Sequence, residues 1–255
     1  MSHPQTFEAR RLSRSQQSAL FARIIDRTRL LAHGTGPRPV LVFDLDGTLM
    51  DNRPRVVAIL HELAAHWSAR HPEAAERCRT ARPEDVVYGF GDNLRKLGVS
   101  DAELHEAGFL FWKERFFTDH HQRHDVDVAG AREFVLAAHR AGGVIVYLTG
   151  RDLPNMALGA FASLRDLGFP IGVVGTELVV KPAFEIPDAD FKRDVAPELA
   201  RLGVVVASFD NEPGNCNALL HAYPESEAVF LDTQYAPNPP PLDPRVSVVR
   251  SFEVE

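Results

Sequence analysis

The sequence predicts an α/β fold, a parallel sheet sandwiched by helices and interrupted by an all-helical insertion. Three observations predict it. From residue 128 onward, short apolar runs alternate with helical patterns, as expected of a parallel sheet with helices on both faces. Across residues 53–122 that alternation stops, and helical periodicity continues with no convincing strand. The apolar runs 40–43, 144–148 and 204–209 each end abruptly in polar residues, and ligands of such sheets sit at the carboxyl ends of the strands. The expected organisation is an N-terminal helical extension (1–37), a Rossmann-like core (38–52 and 123–255) and a helical cap inserted in it (53–122).

Taken in order, residues 1–6 are expected to be loose. Residues 7–31 carry a helical pattern: Leu20, Phe21, Ile24, Ile25 and Leu31 fall at three- and four-residue steps, with a break expected near Ser13 to Ser15. An arginine-bearing amphipathic helix can lie on a membrane surface, but docking on the protein's own core is the preferred reading. His33-Gly34-Thr35-Gly36-Pro37 ends the extension, and 40–43 is a fully buried strand because nothing in it is polar.

In the insertion, Val56, Val57, Leu60, Leu63, Ala64 and Trp67 form one stripe. A second helix is expected over 73–79, and Pro83 fits the first turn of a third. Asp92 or Asn93 caps the helix after the glycine loop 88–93. Asp101 opens another helix with Leu104, Phe109, Leu110, Trp112, Phe116 and Phe117. Beyond it, helices are expected over 131–140, 154–167, 190–202 and 215–222. Strands are expected over 144–148, 171–174, 178–180, 204–209 and 228–231, and an edge strand over 246–249 follows a proline-rich loop.

Composition narrows the function. A chain of 255 residues can bury a substantial core. A net charge of −7 argues against broad nucleic-acid binding, which needs a basic face. Cys78 and Cys216 form no C-x-x-C pair, so neither a zinc site nor a disulfide framework is indicated, and a reducing cytoplasm fits best. No apolar run is long enough to span a membrane. The first residues lack the apolar core of a secretory signal and are read as part of the folded protein.

The chemistry concentrates at 40–49, Val-Leu-Val-Phe-Asp-Leu-Asp-Gly-Thr-Leu. Residues i and i+2 of a strand share a face, so Asp44 and Asp46 point into one space. Two like charges there need a cation or a shared proton. Thr149-Gly150 and Lys181 follow later strand-like runs, as does Asp210-Asn211-Glu212. Paired carboxylates suit Mg2+, which takes oxygen ligands and keeps several waters. Thr149, Lys181 and the N–H groups around Gly47 and Gly150 suit a phosphate. A carboxylate nucleophile that forms an aspartyl-phosphate is established chemistry and needs a cation to offset its charge.

These residues resemble the motifs of the haloacid dehalogenase (HAD) superfamily of hydrolases, within it the Mg-dependent phosphatases. The matching stretches are Asp44-Leu45-Asp46-Gly47-Thr48, Leu148-Thr149-Gly150-Arg151, Lys181, and Phe209-Asp210-Asn211. The resemblance spans about residues 38–232. It implies Asp44 as nucleophile and Asp46 as general acid and then base. It implies Thr149, Gly150 and Lys181 as phosphate contacts, and Asp44, the backbone carbonyl of Asp46 and Asp210 as Mg2+ ligands. Retention of Asp46 favours phosphate-ester hydrolysis, because an oxygen leaving group needs a proton. The fourth motif departs from the family, with Asn211 and Gly214 where a second carboxylate is usual, so Asn211 or Glu212 is left to complete the metal shell. The expected activity is hydrolysis of a small phosphorylated metabolite. A phosphotransferase or mutase, and a non-catalytic binder of a phosphorylated ligand, are the alternatives.

Weaker signals stay open. His120, His121 and His124, with Asp119 and Asp125, either bind a transition metal or form a solvated hinge, the second being preferred. Phe109, Phe111, Trp112, Phe116 and Phe117 chiefly form the cap's own core, and one of them can also line the substrate site. The loop at 89–93 is either a specificity loop or a plain turn. Arg151 either contacts substrate or pairs with Asp152 or a helix end.

Overall fold

The structure is a computed structural model that describes residues 7–255; the looseness expected of residues 1–6 lies outside the described residues. The chain opens with α1 (Arg14–His33), β1 (Pro39–Phe43) and the two-residue β2 (Met50–Asp51). The insertion follows as α2 (Arg53–Trp67), α3 (Pro72–Arg79), α4 (Phe90–Lys96) and α5 (Ala102–Phe116). The chain then returns through β3 (Val126–Asp127), α6 (Ala131–Arg140), β4 (Val144–Asp152), α7 (Leu153–Asp166) and β5 (Thr176–Lys181). It closes with α8 (Asp188–Val195), β6 (Val204–Asp210), α9 (Pro213–Ala222), β7 (Glu227–Leu231) and β8 (Ser247–Val249).

The main sheet has six strands in the order β5-β4-β1-β6-β7-β8, with every pairing parallel. The opening strand β1 is thus central, and all five of its residues are buried. Its alternation explains the layers. Leu41 and Phe43 join one apolar cluster with Leu20, Phe21 and Ile24 of α1 and Phe134 of α6. Val40 and Val42 join another with Phe191 of α8 and Leu219 of α9. The N-terminal helix is therefore docked on the core, with Ser13 capping it through a bond accepted from the Gln16 amide.

The insertion has its own apolar cluster: Leu60, Leu63 and Trp67 of α2, Ala75 and Cys78 of α3, Phe90 and Leu94 of α4, with Trp112 and Phe116 of α5 against it. It leaves and rejoins the core through a separate two-stranded antiparallel sheet, Met50 opposite Asp127 and Asp51 opposite Val126.

Several local expectations are corrected. Residues 171–174 form no strand; Gly172 (φ 70°) and Gly175 (φ 86°) turn the chain there, and the strand is Thr176–Lys181. The helix expected over 190–202 breaks: α8 ends at Val195 and Ala196–Arg201 is 3-10, because Pro197 has no N–H to continue the α ladder. Pro83 opens only a 3-10 turn, Pro83–Asp85. Neither Asp92 nor Asn93 caps α4, whose N-cap is Gly89; the Asn93 amide instead bonds the backbone of Val87 and Gly89.

Candidate active site

β1, β4, β5 and β6 deliver their carboxyl ends to one rim, and a cavity of about 310 Å³ opens there beneath the insertion. Asp44, Asp46, Thr149, Gly150, Lys181, Asn211 and Glu212 all line it, so sites scattered over the sequence converge as the sheet topology requires. Asp210 is buried just behind, bonded to a lining lysine.

Asp44 keeps the parity of Val40 and Val42, the side on which α8 packs. There it meets Lys192, which the sequence reading missed. Lys192 Nζ donates to Asp44 Oδ1 at 2.6 Å and to Asp210 Oδ2 at 2.7 Å, and all three side chains are buried. Burial pushes the Asp44 carboxyl up to about 7, with the Lys192 ammonium opposing the shift and Asp210 adding to it. Burial would pull Lys192 down, but Asp210 and Asp44 outweigh it and keep the ammonium charged. Asp210 also accepts from the Glu212 amide (2.8 Å) and from Asn215 Nδ2 (3.1 Å).

Lys181 ends β5 as expected and lines the cavity, but its ammonium bonds Asp188 at 2.7 Å rather than Asp44. Asp188 also explains Gly150. A Cβ on Gly150 would lie 2.2 Å from Asp188 Oδ2, so only glycine lets that carboxylate approach. Thr149 is buried, and its Oγ1 accepts from the Arg151 amide at 3.2 Å.

Asp46 is held differently. Arg151 grips it with Nε to Oδ2 (2.8 Å) and Nη2 to Oδ1 (2.9 Å), and Arg55 Nη2 reaches Oδ1 at 3.1 Å. Both arginines also bind Asp125, whose side chain is fully buried, and Arg151 further donates to Gln122. Arg151 therefore pairs with neither Asp152 nor a helix end. Burial works against an ionised Asp46, yet the two guanidiniums override it and hold the carboxyl well below the usual range. Arg55 and Gln122 were not singled out from the sequence, and Asp125 was marked only beside the histidines as a possible metal ligand, whereas here it binds two arginines.

Gly47 sits at φ 80°, and a Cβ there would lie 2.3 Å from Asn211 Nδ2. Asn211 commits both ends of its amide, accepting from Thr48 Oγ1 (3.3 Å) and donating to the Gln234 carbonyl. Glu212 accepts from the Ala236 amide at 2.9 Å on one oxygen and leaves the other clear among the described residues. Burial pushes its carboxyl up to about 7.

The apolar part of the lining comes mostly from the insertion: Val56, Val87, Phe90, Trp112, Phe116 and Phe117, joined by Phe184 and Met156 from the core. Trp112 and Phe116, and Phe117 through its ring contacts with both, thus serve both the insertion's packing and the cavity wall, whereas Phe109 is exposed. Phe90 and Asn93 bring the 89–93 region to the cavity, with Tyr88 just ahead of it. His121 is buried, not solvated, and bonds Glu62 at 3.1 Å. No group of three histidine, cysteine or acidic side chains among the described residues is arranged to hold a metal by itself.

A family model described as a haloacid dehalogenase-like hydrolase matches residues 39–214, the stretch that contains every lining residue but Asn215 and Gln234. The phosphoglycolate phosphatase of Pseudomonas fluorescens is 31% identical over 127 residues, 48% of this chain and 44% of that protein, so the match spans under half of the relative's length. A Clostridium difficile structure provisionally described as a phosphatase superposes with a TM-score of 0.52 at 12% identity, over 78% of this chain and 87% of that one. The structure of the Mycobacterium tuberculosis Protein Tyrosine Kinase A gives 0.51 at 17% identity, over 85% and 94%. At such identities the likeness speaks for the fold alone. No helix among the described residues is long and apolar enough to cross a membrane.

Proposed function

The chain belongs to the haloacid dehalogenase-like hydrolase family, and from that premise we propose that it is a Mg2+-dependent phosphomonoesterase working through an aspartyl-phosphate on Asp44. One observation carries the reading. Asp44 is a buried carboxylate on the cavity wall, touched by the Lys192 ammonium, with a second carboxylate, Asp46, two residues on.

A carboxylate oxygen of Asp44 attacks phosphorus, and the bond from phosphorus to the ester oxygen breaks as the new one forms. Lys192 offsets the negative charge of Asp44 and of the incoming phosphoryl oxygens. The Thr149 hydroxyl and the backbone at Gly150, both lining the cavity, suit the phosphoryl oxygens. The departing alkoxide takes a proton from Asp46, and water then attacks phosphorus while giving a proton back to Asp46, releasing phosphate and free Asp44. Held by two guanidiniums, Asp46 is in the ionised form, the form needed for the second half. Proton delivery in the first half requires those guanidiniums to give ground.

The donor set suits Mg2+. Asp44 and Asp210 offer side-chain oxygens and Asp46 its backbone carbonyl, which accepts no hydrogen bond among the described residues. A set with so few protein ligands matches an ion that keeps its waters. Glu212, with one clear oxygen, is more available than Asn211 to complete the shell. When bound, Mg2+ would neutralise charge between the carboxylates and the phosphoryl group.

The substrate is proposed to be a small phosphorylated metabolite. Asp44→Asn tests the mechanism: turnover should vanish while circular dichroism stays that of the native protein. Turnover retained in a folded Asp44→Asn protein would overturn it.

A further inference from the structure

We propose that the substrate's leaving group is an apolar alcohol bearing a ring or a comparable flat apolar group, seated against the aromatic wall of the insertion, and not a small carboxylic acid. This rests on the phosphomonoesterase reading and names its substrate class.

Two independent features lead to it. The first is the wall. Phe90 stacks on Trp112 with ring centroids 5.4 Å apart, Trp112 meets Phe117 edge-on at 5.4 Å, and Phe117 meets Phe184 edge-on at 5.1 Å. This chain of rings crosses from the insertion to the core and lines the same cavity as Asp44. Aromatic surfaces of that kind bind apolar and planar groups through area and ring geometry.

The second is charge. No lining residue contributed by the insertion is charged. The lining cations are Lys192, Arg151 and Lys181, and each already has a carboxylate partner: Asp44 and Asp210, Asp46 and Asp125, and Asp188. Lys113 has its ammonium 5.6 Å from the Phe184 ring centroid, but it is exposed and outside the lining. The substrate's phosphate competes for Lys192 beside Asp44. A carboxylate at the other end of the substrate would meet rings and the nearby Asp188 and Glu212, with no uncommitted cation among the lining residues. A desolvated charge without a partner opposes binding strongly. A neutral ring meets no such opposition.

The test compares esters whose leaving groups are all primary alcohols, so that their basicity does not decide the rate. With Mg2+ supplied, kcat/KM is measured for 2-phenylethyl phosphate, 2-(1-naphthyl)ethyl phosphate, ethyl phosphate and phosphoglycolate. The ring-bearing esters should exceed ethyl phosphate and phosphoglycolate by about tenfold or more. Trp112→Ala and Phe184→Ala should shrink the ratio of ring-bearing to ethyl ester. Phe184 lies outside the insertion, so its variant stands if loss of Trp112 disturbs folding. A phosphoglycolate rate equal to or above that of the ring-bearing esters overturns the proposal and leaves the phosphomonoesterase reading intact.

A binding measurement separates the two readings from the other side. Phosphonates cannot be cleaved, so titration calorimetry of the wild-type chain with 3-phenylpropylphosphonate and with phosphonoacetate reads the cavity alone. Tighter binding of the phenylpropyl compound supports the proposal even if no ester is hydrolysed, which would sink only the hydrolase reading. Tighter binding of phosphonoacetate, or binding of neither, overturns the proposal.

Discussion

Replacing Arg55 with methionine removes a charge from the centre of the molecule while keeping most of the side chain's volume. The Arg55 side chain is fully buried. It donates to Asp125 Oδ1 at 2.8 Å, to Asp46 Oδ1 at 3.1 Å and to the Phe116 carbonyl at 3.3 Å, and its guanidinium lies 4.6 Å from the Phe116 ring centroid. Arg151 binds the same two carboxylates, so the cluster balances two cations against two anions. In Arg55→Met both carboxylates share one guanidinium, and a buried negative charge is left over. Breaking a buried ion pair from one side costs about 3–5 kcal/mol; because Arg151 remains, we expect the lower end, about 3 kcal/mol, or roughly two powers of ten in the folding constant. Adding Asp125→Asn restores the balance of charge, and the double variant should regain about 1 kcal/mol or more over Arg55→Met alone. Urea unfolding measures this well. Both tryptophans, Trp67 and Trp112, belong to the insertion and report on it by fluorescence, while far-ultraviolet circular dichroism follows the whole chain. An Arg55→Met protein with the wild-type midpoint and slope, or a double variant that merely sums the two losses, would refute the charge-balance reasoning.

Lys192→Met should lower kcat/KM by about 10²–10³-fold, because it removes the cation touching Asp44, whereas Lys181→Met should lose about tenfold or less; the reverse order would give Lys181 the phosphate role. Chelation with EDTA should abolish ester hydrolysis and Mg2+ should restore it, and turnover indifferent to both would remove Mg2+ from the mechanism. Stability should fall in acid partly through Asp46. Burial disfavours its ionised form, but Arg151 and Arg55 hold the folded carboxyl below its ordinary 3.8, so its contribution is present above that value and is lost as pH falls through the folded value. Urea midpoints measured from pH 6 into the acid range should therefore drop less for Asp46→Asn than for the wild type, and equal drops would contradict this.

The frame of the site was legible because it depends on rules the backbone cannot escape. An apolar run without polar residues becomes a buried central strand, and the parity of such a strand puts Asp44 beside α8. Lys181 stood out because it follows a strand-like run, and Lys192 was missed because it lies inside a helix. A signal for Lys192 existed, however. Lys192, Ala196 and Leu199 repeat at i, i+4 and i+7, and all are buried, so a lysine occupies a core position of a helical stripe. Arg55, Ile59 and Leu63 repeat at i, i+4 and i+8 and are equally buried. A cation on the apolar stripe of a helix needs an anion waiting for it. Gln122 gave no comparable warning and Asp125 stood out only as a companion of the nearby histidines, since the 3-10 turn His121–His124 and its flank carry no periodicity long enough to read. The break of the 190–202 helix was readable from Pro197, and only the strength of the surrounding pattern concealed it.

The pairing of β2 with β3 governs how such a molecule can diversify. Met50–Asp51 and Val126–Asp127 lie side by side, so the polypeptide departs from and rejoins the core at a single junction. Closing a longer or shorter excursion across a fixed junction changes the entropy only slowly with length. The module between can be exchanged for another while β1, β4 and β6 keep Asp44, Thr149 and Asp210 where they stand. Arg55 sets one condition on any such graft. It belongs to the exchanged module, where it meets Asp125, and also answers Asp46 on the other side of the junction, so an incoming module must bring its own cation or arrive without the charge of Asp125.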